Sequence, residues 1–277
     1  MEMDSIDALL AEVSLERGPV VVMTGAGVSA ESGIPTFRGA DGYWRVGSRN
    51  YQATELATGA AFAQMPDDVW AWYLYRRGVC RGAAPNAAHR AIAALEHALG
   101  ERFLLLTQNV DGLHRRAGSS AERTYEIHGN IDLMRCSNGC SRAIVRIPEE
   151  VEVDWPKGRT LQAEQRSMLR CASCGARTRP HVLWFDEHYD EEHFRFDSSL
   201  RAAAQASLLI VIGTAGQTNL PMHVGRLVNA RGAPLIVINL EASPFTEMAE
   251  RGPHGLFLQG TAGEHVPPLM ERVAALA

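Results

Sequence analysis

The chain has 277 residues, is 46% hydrophobic and carries a formal net charge of -5. This is ample for a real core, and one large domain carrying a smaller one is the natural expectation. The mildly acidic balance gives no global basic field for nucleic acid, and no apolar run reaches the roughly 18 residues needed to span a membrane.

The start, Met1-Glu2-Met3-Asp4-Ser5, is acidic and shows no basic region followed by an apolar stretch, so a secretory signal is not expected. Five cysteines in a chain of this length are no disulfide framework, and a reducing cytoplasm fits them. Lys157 is the one lysine among 27 basic residues, which codon bias toward arginine accounts for.

Asp4 or Ser5 can cap a first helix with Ile6, Leu9, Leu10 and Val13 on one face. Pro19-Val20-Val21-Val22-Met23 then reads as a buried parallel strand. After it come Gly25, Gly27 and Gly33. Gly25 and Gly27 allow a tight turn and let backbone N–H groups approach a pyrophosphate. Val28-Ser29-Ala30 can open a helix whose N-terminus favours that anion. The third glycine lies too far on for the plain dinucleotide fingerprint, and a bare Gly-x-Gly also suits a simple strand-to-helix turn.

Residues 55–80 read as helical and aromatic-rich, with Phe62, Trp70, Trp72, Tyr73 and Tyr75. Asn86 can cap a further helix with Ala88, Ile92, Leu95 and Leu99 inward. Strands are expected at 103–106, 123–127, 207–212, 235–238 and 256–258. Short apolar strands alternating with helices indicate an α/β fold with a parallel sheet. The polar residues at strand ends then lie where such sheets bind ligands.

Residues 131–180 differ. They carry paired cysteines, many arginines and few long apolar runs, and read as an inserted module stapled because it lacks a core of its own. Cys136-x3-Cys140 and Cys171-x2-Cys174 make a four-thiolate zinc site, structural because no position stays open for water. Cys80 lies outside the set and reads as a small buried apolar residue.

Gly25-Ala26-Gly27-Val28-Ser29 with Ser32-Gly33-Ile34-Pro35-Thr36-Phe37-Arg38-Gly39 resembles the signature of the sirtuins, the NAD-dependent protein deacylases. Thr107-Gln108-Asn109-Val110-Asp111-Gly112-Leu113-His114 resembles a second signature of that family. His128-Gly129 and the cysteine pairs follow in the expected order. The resemblance implies a Rossmann-like NAD-binding part made of 1–40, 86–130 and 181–277. It implies a cofactor loop and helical module over 41–85, and a zinc-binding module over 131–180. The implied partners are acyl-lysine proteins or peptides. The implied reaction converts NAD and acyl-lysine to nicotinamide, O-acyl-ADP-ribose and free lysine.

On the same resemblance, His128 is the general base that activates a ribose hydroxyl of NAD once the acyl oxygen has attacked C1′. Imidazole suits that task at neutral pH. Asn109 and Asp111 hold the nicotinamide ribose and the water region, and Gln108 contacts the same ribose. Gly25, Ala26, Gly27, Ser29 and Ala30 are implied NAD contacts. Ile34 lines the nicotinamide pocket, Phe37 screens the reactive face and Arg38 lies near the phosphates. Gly213-Thr214-Ala215 stands where the family usually has Gly-Thr-Ser, so one hydroxyl is missing. Asn239 and Glu241 match the stretch receiving the adenosine ribose, and Ala262 completes the implied NAD contacts.

Tyr73-Leu74-Tyr75-Arg76 matches class III sirtuins, which accept negatively charged acyl groups such as succinyl or malonyl. A guanidinium grips a carboxylate bidentately and a phenol adds a hydrogen bond. Positions i and i+3 share a helix face. Arg77 at i+4 could approach the same face, and the family match selects Arg76. Ala40 is small where relatives carry bulk. The 179–187 segment resembles the one that pairs with substrate peptide as an added strand, with Val182 facing the lysine tunnel and Trp184 and Phe185 beside it. Two stretches depart from the family pattern: Phe185-Asp186-Glu187 replaces Phe-Gly-Glu, and 216–221 lacks the usual apolar form. Plain deacetylation, removal of longer acyl chains, protein ADP-ribosyl transfer and an NAD-sensing module without turnover are the rival readings.

Overall fold

The computed structural model describes residues 2–36, 53–151 and 154–277. Its strands are β1 (Val20–Thr24), β2 (Phe103–Thr107), β3 (Thr124–Glu126), β4 (Gly129–Cys136), β5 (Ile144–Arg146), β6 (Thr178–Val182), β7 (Leu208–Ile212), β8 (Leu235–Asn239) and β9 (Gly255–Gln259). Six of them form one parallel sheet in the order β3-β2-β1-β7-β8-β9. β1 sits at its centre, with Thr24 beside Thr107 of β2 on one side and Ile212 of β7 on the other. Every residue of β1, β2 and β7 is buried, as continuous apolar runs covered on both faces require.

One face is covered by the helices Glu2–Leu10, Ala87–Leu99 and Ala262–Ala274, which bring Ile6, Leu9, Ile92, Leu95, Val266 and Leu269 into one apolar cluster. The other face is covered by Phe196–Gln205, Asn219–Ala230 and Pro244–Arg251, through Ala203, Leu220, Val224, Val228, Phe245 and Ala249. The chain runs outward from β1 to β3, then returns to the other side of β1 at β7. This reversal opens a crevice at the carboxyl ends of β1 and β7.

The parallel strands lie within a residue or so of where the apolar runs put them. The first helix begins earlier than its expected cap, at Glu2. Residues 55–80 are not one helix. They form Ala53–Leu56, Gly59–Gln64 and Pro66–Gly82, because the Thr58 hydroxyl accepts the Ala61 N–H at 3.0 Å and Pro66 starts a new turn. Asn86 does cap the next helix, and the His89 imidazole closes the box by accepting the Asn86 N–H at 3.3 Å.

β5, β4 and β6 make a three-stranded antiparallel sheet that carries Cys136 at the end of β4. The 131–180 stretch has a core after all. Met134, Ile147, Val151, Trp155, Leu161 and Leu169 pack with Trp70 and Leu74. The sequence hid it because its apolar residues come singly and the rest of the core belongs to the Pro66–Gly82 helix. Trp70 Nε1 donates to the Thr178 carbonyl at 2.8 Å, and Asp67 pairs with Arg166 at 2.7 Å and Arg177 at 2.6 Å. No described helix is long and apolar enough to cross a membrane.

Candidate active site

The crevice is built from strand ends. Gly27 N–H donates to the Gly213 carbonyl at 2.8 Å, so the loops after β1 and β7 meet backbone to backbone. A Cβ on Gly27 would fall 2.6 Å from Gly213 Cα, and Gly213 itself has φ +60. These glycines are therefore fixed by loop-to-loop contact as well as by any phosphate.

Behind the loop, Ser29 ties the second signature together. Its Oγ donates to Asp111 Oδ2 at 2.7 Å and accepts from Asn109 Nδ2 at 3.1 Å, while Asn109 also donates to the Gly25 carbonyl at 3.0 Å. Burial pushes the Asp111 carboxyl pKa up, and hydrogen bonds from the Leu113 N–H and Ser29 oppose that shift. Below them lie His114, 3.0 Å from Thr24 Oγ1, and His89, 3.4 Å from Ser29 Oγ. Burial depresses both imidazoles, His89 to about 4.

His128 stands between β3 and β4, and its carbonyl accepts the Leu183 N–H at 2.9 Å. Burial lowers its pKa to about 4, opposed by a hydrogen bond to the Gln108 backbone, so the ring is neutral at pH 7. Its Nε2 lies 2.7 Å from the Tyr189 hydroxyl. Gln108 Nε2 donates to Thr214 Oγ1 at 2.9 Å, and Gln108 Oε1 accepts from Thr218 Oγ1 at 3.0 Å. The unusual 216–221 segment thus supplies a polar partner to the second signature. Asn239 Nδ2 donates to the Thr214 carbonyl at 3.2 Å, which joins the β7 and β8 ends. Ala215, Glu241 and Ala30 are exposed and Ala26 is half-buried at the crevice. Ala262 is buried at the start of the last helix, where Gly263 N–H donates to Glu31 Oε2 at 2.6 Å. Phe37, Arg38 and Ala40 lie outside the described residues.

A second apolar cluster adjoins the crevice through Ile34 and Val110. Ile34, Leu56, Ala57, Ala61, Tyr73, Val182 and Trp184 form one buried cluster. Trp184 Nε1 donates to the Tyr73 hydroxyl at 3.0 Å. Arg76 is 4% exposed, with its guanidinium carbon 4.7 Å from the Trp72 ring centroid and 5.7 Å from that of Tyr73. Burial pushes the Tyr73 phenol up to about 12 against the pull of Arg76. Arg77 points elsewhere, its Nε donating to Asp132 Oδ1 at 2.9 Å. Arg179 stacks 3.4 Å from the Trp184 ring centroid and forms an ion pair with Glu187, which also accepts the Trp184 N–H at 2.9 Å. Phe185 is 54% exposed. Tyr189, Ala57 and Asp186 were not singled out from sequence as site residues. Tyr189 sits in a stretch without periodicity, Ala57 in a stretch that reads as a plain helix, and Asp186 stands out only by its departure from the family pattern.

At the far end of β4 the Sγ atoms of Cys136, Cys140, Cys171 and Cys174 all lie within 4.8 Å of one another. Cys136 and Cys174 are 3.6 Å apart, Cys140 and Cys171 3.4 Å. Tetrahedral zinc with bonds of about 2.3 Å spaces its sulfurs by roughly 3.8 Å, so the four thiols fit that ion. Cys80 is buried and its thiol is pushed up to about 12, as an inert apolar filler should be.

The Sir2 family profile matches residues 25–219. The chain belongs to the Sir2 family. This sirtuin is 39% identical over 254 residues to an NAD-dependent protein deacylase of Leptospira interrogans, covering 92% of each chain. It is 37% identical over 264 residues to the mitochondrial NAD-dependent protein deacylase sirtuin-5 of Danio rerio, covering 91% of this chain and 82% of the relative. Its fold matches a Sir2 homologue solved with NAD at a TM-score of 0.78 and 36% identity, over 100% and 96% of the two chains. The sirtuin is an NAD-dependent protein-lysine deacylase with protein or peptide substrates. Its cysteine cluster predicts one zinc per chain by metal analysis. Stripping that zinc should unravel the 131–180 sheet, seen as lost circular dichroism; an active, fully folded zinc-free protein would contradict the assignment.

Proposed function

We propose that this sirtuin removes carboxylated acyl groups, succinyl or malonyl, as well as acetyl, from protein lysines. The observation that carries this reading is Arg76, buried beside the Tyr73 phenol and the Trp72 ring at the edge of an apolar cluster. A carboxylate entering there would meet a charge-assisted fork and a hydroxyl. Acetyl carries no carboxylate and so gains neither contact.

The remaining residues suit the division of labour that family membership suggests. NAD supplies an activated ribose carbon when bound. Gly25, Ala26, Gly27, Ser29, Ala30, Gly213, Thr214 and Ala215 would receive its phosphates and ribose, with Asn239, Glu241 and Ala262 on the adenosine side. Gln108, Asn109 and Asp111 would orient the nicotinamide ribose, with Ile34 beside them; the family pattern gives Phe37 and Arg38 to the same cosubstrate. His128 would take the ribose hydroxyl proton at Nε2 after the Tyr189 hydroxyl gives way. Peptide would lie along the 179–187 segment, whose strand β6 is an edge of its sheet.

We assign 1–40, 86–130 and 181–277 to the NAD-binding part, 41–85 to the cofactor loop and helical module, and 131–180 to the zinc module. Five cysteines, none in a disulfide, support a reducing cytoplasm. The test is a kinetic panel of matched acetyl, malonyl, succinyl and longer-acyl peptides with product mass spectrometry. Succinyl or malonyl should give the highest kcat/KM, with O-acyl-ADP-ribose as product. A maximum at acetyl or at a long apolar chain would overturn the acyl assignment. ADP-ribosylated protein as the main product would favour the transferase reading.

A further inference from the structure

We infer that Asp186 is a specificity-determining positioning residue, clamping the helix that walls the acyl chamber to the segment that lies along the substrate. The inference rests on the acyl-chamber reading above. Asp186 stands where the sirtuin pattern has glycine, so the clamp is a property of this chain and not of the motif.

The Gly59–Gln64 helix has unsatisfied N–H groups at its start, like any helix. Asp186 Oδ1 accepts the Gly59 N–H at 2.7 Å, and Oδ2 accepts the Ala60 N–H at 3.1 Å. Thr58 takes the next, and Phe185 N–H donates to the Ala57 carbonyl at 3.0 Å. Three hydrogen bonds therefore join residues 185–186 to residues 57–60. The same two segments send Ala57, Ala61 and Trp184 inward to one cluster with Tyr73 and Val182. The Phe62 and Trp184 rings lie 5.3 Å apart between centroids, and the Trp184 indole holds the Tyr73 hydroxyl.

Movement of the helix would thus reach Tyr73 by way of Ala57 and Trp184. A carboxylate on two backbone N–H groups fixes the spacing of the chamber walls before substrate arrives. Glycine there would let the wall retreat, and the acyl carboxylate would find Tyr73 and Arg76 less well placed. Among the described residues, none of the hydrogen bonds that build the NAD crevice involves residues 57–60, so cosubstrate binding should not respond.

The test compares Asp186→Gly and Asp186→Asn with the wild type in the full-length, zinc-loaded protein. KM and kcat are measured separately for succinyl peptide, acetyl peptide and NAD. Asp186→Gly should raise KM for succinyl peptide about five- to tenfold, the weight of a lost helix cap, and lower the succinyl-to-acetyl ratio of kcat/KM similarly. KM for NAD should stay within about twofold of wild type. Asp186→Asn, which keeps one acceptor oxygen, should fall between and covers the case in which glycine disturbs folding. Unchanged KM and ratio in a folded variant would overturn the clamp. Arg76→Met run in parallel separates the failures. If it shifts the ratio while both Asp186 variants do not, only the clamp falls; if it shifts nothing, the acyl-carboxylate reading falls and takes the clamp with it.

Discussion

His128→Ala lowers turnover of NAD and acyl peptide by about 10²–10⁴-fold while leaving NAD binding largely in place. The ring lies at a strand end against the Gln108 backbone and the Tyr189 hydroxyl, and its removal takes away a proton acceptor without opening the glycine crevice. Exchange of nicotinamide into NAD precedes the base step and should survive the change. The pH profile gives a second check. Burial disfavours the charged imidazole and lowers its pKa from 6.5 to about 4, so the neutral, active form persists as pH falls through the usual histidine range. The acid limb of kcat/KM should show no break near pH 6.5. Full activity in the variant would remove His128 from the role of base.

Arg76→Met lowers the succinyl-to-acetyl ratio of kcat/KM by about 10- to 150-fold, the worth of a charge-assisted contact of roughly 1.5–3 kcal/mol. Deacetylation should hold steady or improve, because methionine fills the volume without a buried charge. Arg77→Met is the control on the next position. Arg77 is fully buried and donates to Asp132 and to the Val151 carbonyl, on the module side of the helix. Its loss should lower thermal stability and leave the acyl ratio alone. An unchanged ratio in Arg76→Met would make plain deacetylation the leading activity.

The parallel sheet was legible because strands covered on both faces leave unbroken apolar runs such as Val20–Met23 and Leu208–Ile212. The cysteine pairs were legible because thiolate spacing is a local property of the chain. The antiparallel sheet was not. β6 holds Arg179 and Pro180, residues that read against a strand, and both are tolerated because β6 is an edge and Arg179 is neutralised by Glu187. The chamber was half legible. Tyr73 and Arg76 share a helix face by spacing, and the resemblance names Val182 and Trp184, but that these pack with Tyr73 and Ala57 in one cluster is a meeting of distant segments that only the fold brings about. Tyr189 against His128 and Asp186 against Gly59 are likewise meetings of distant segments, for which no local pattern exists.

The Pro66–Gly82 helix gives Trp70 and Leu74 to the core of the zinc module and Val69, Trp72 and Tyr73 to the apolar cluster proposed to receive the acyl group. It is a party wall, and neither room can be rebuilt alone. A chimera that imports the 131–180 stretch from a relative would set Trp70 and Leu74 against a foreign surface and disturb the chamber behind it. Transplanting acyl preference between sirtuins therefore calls for moving this helix and the module beneath it as a single unit.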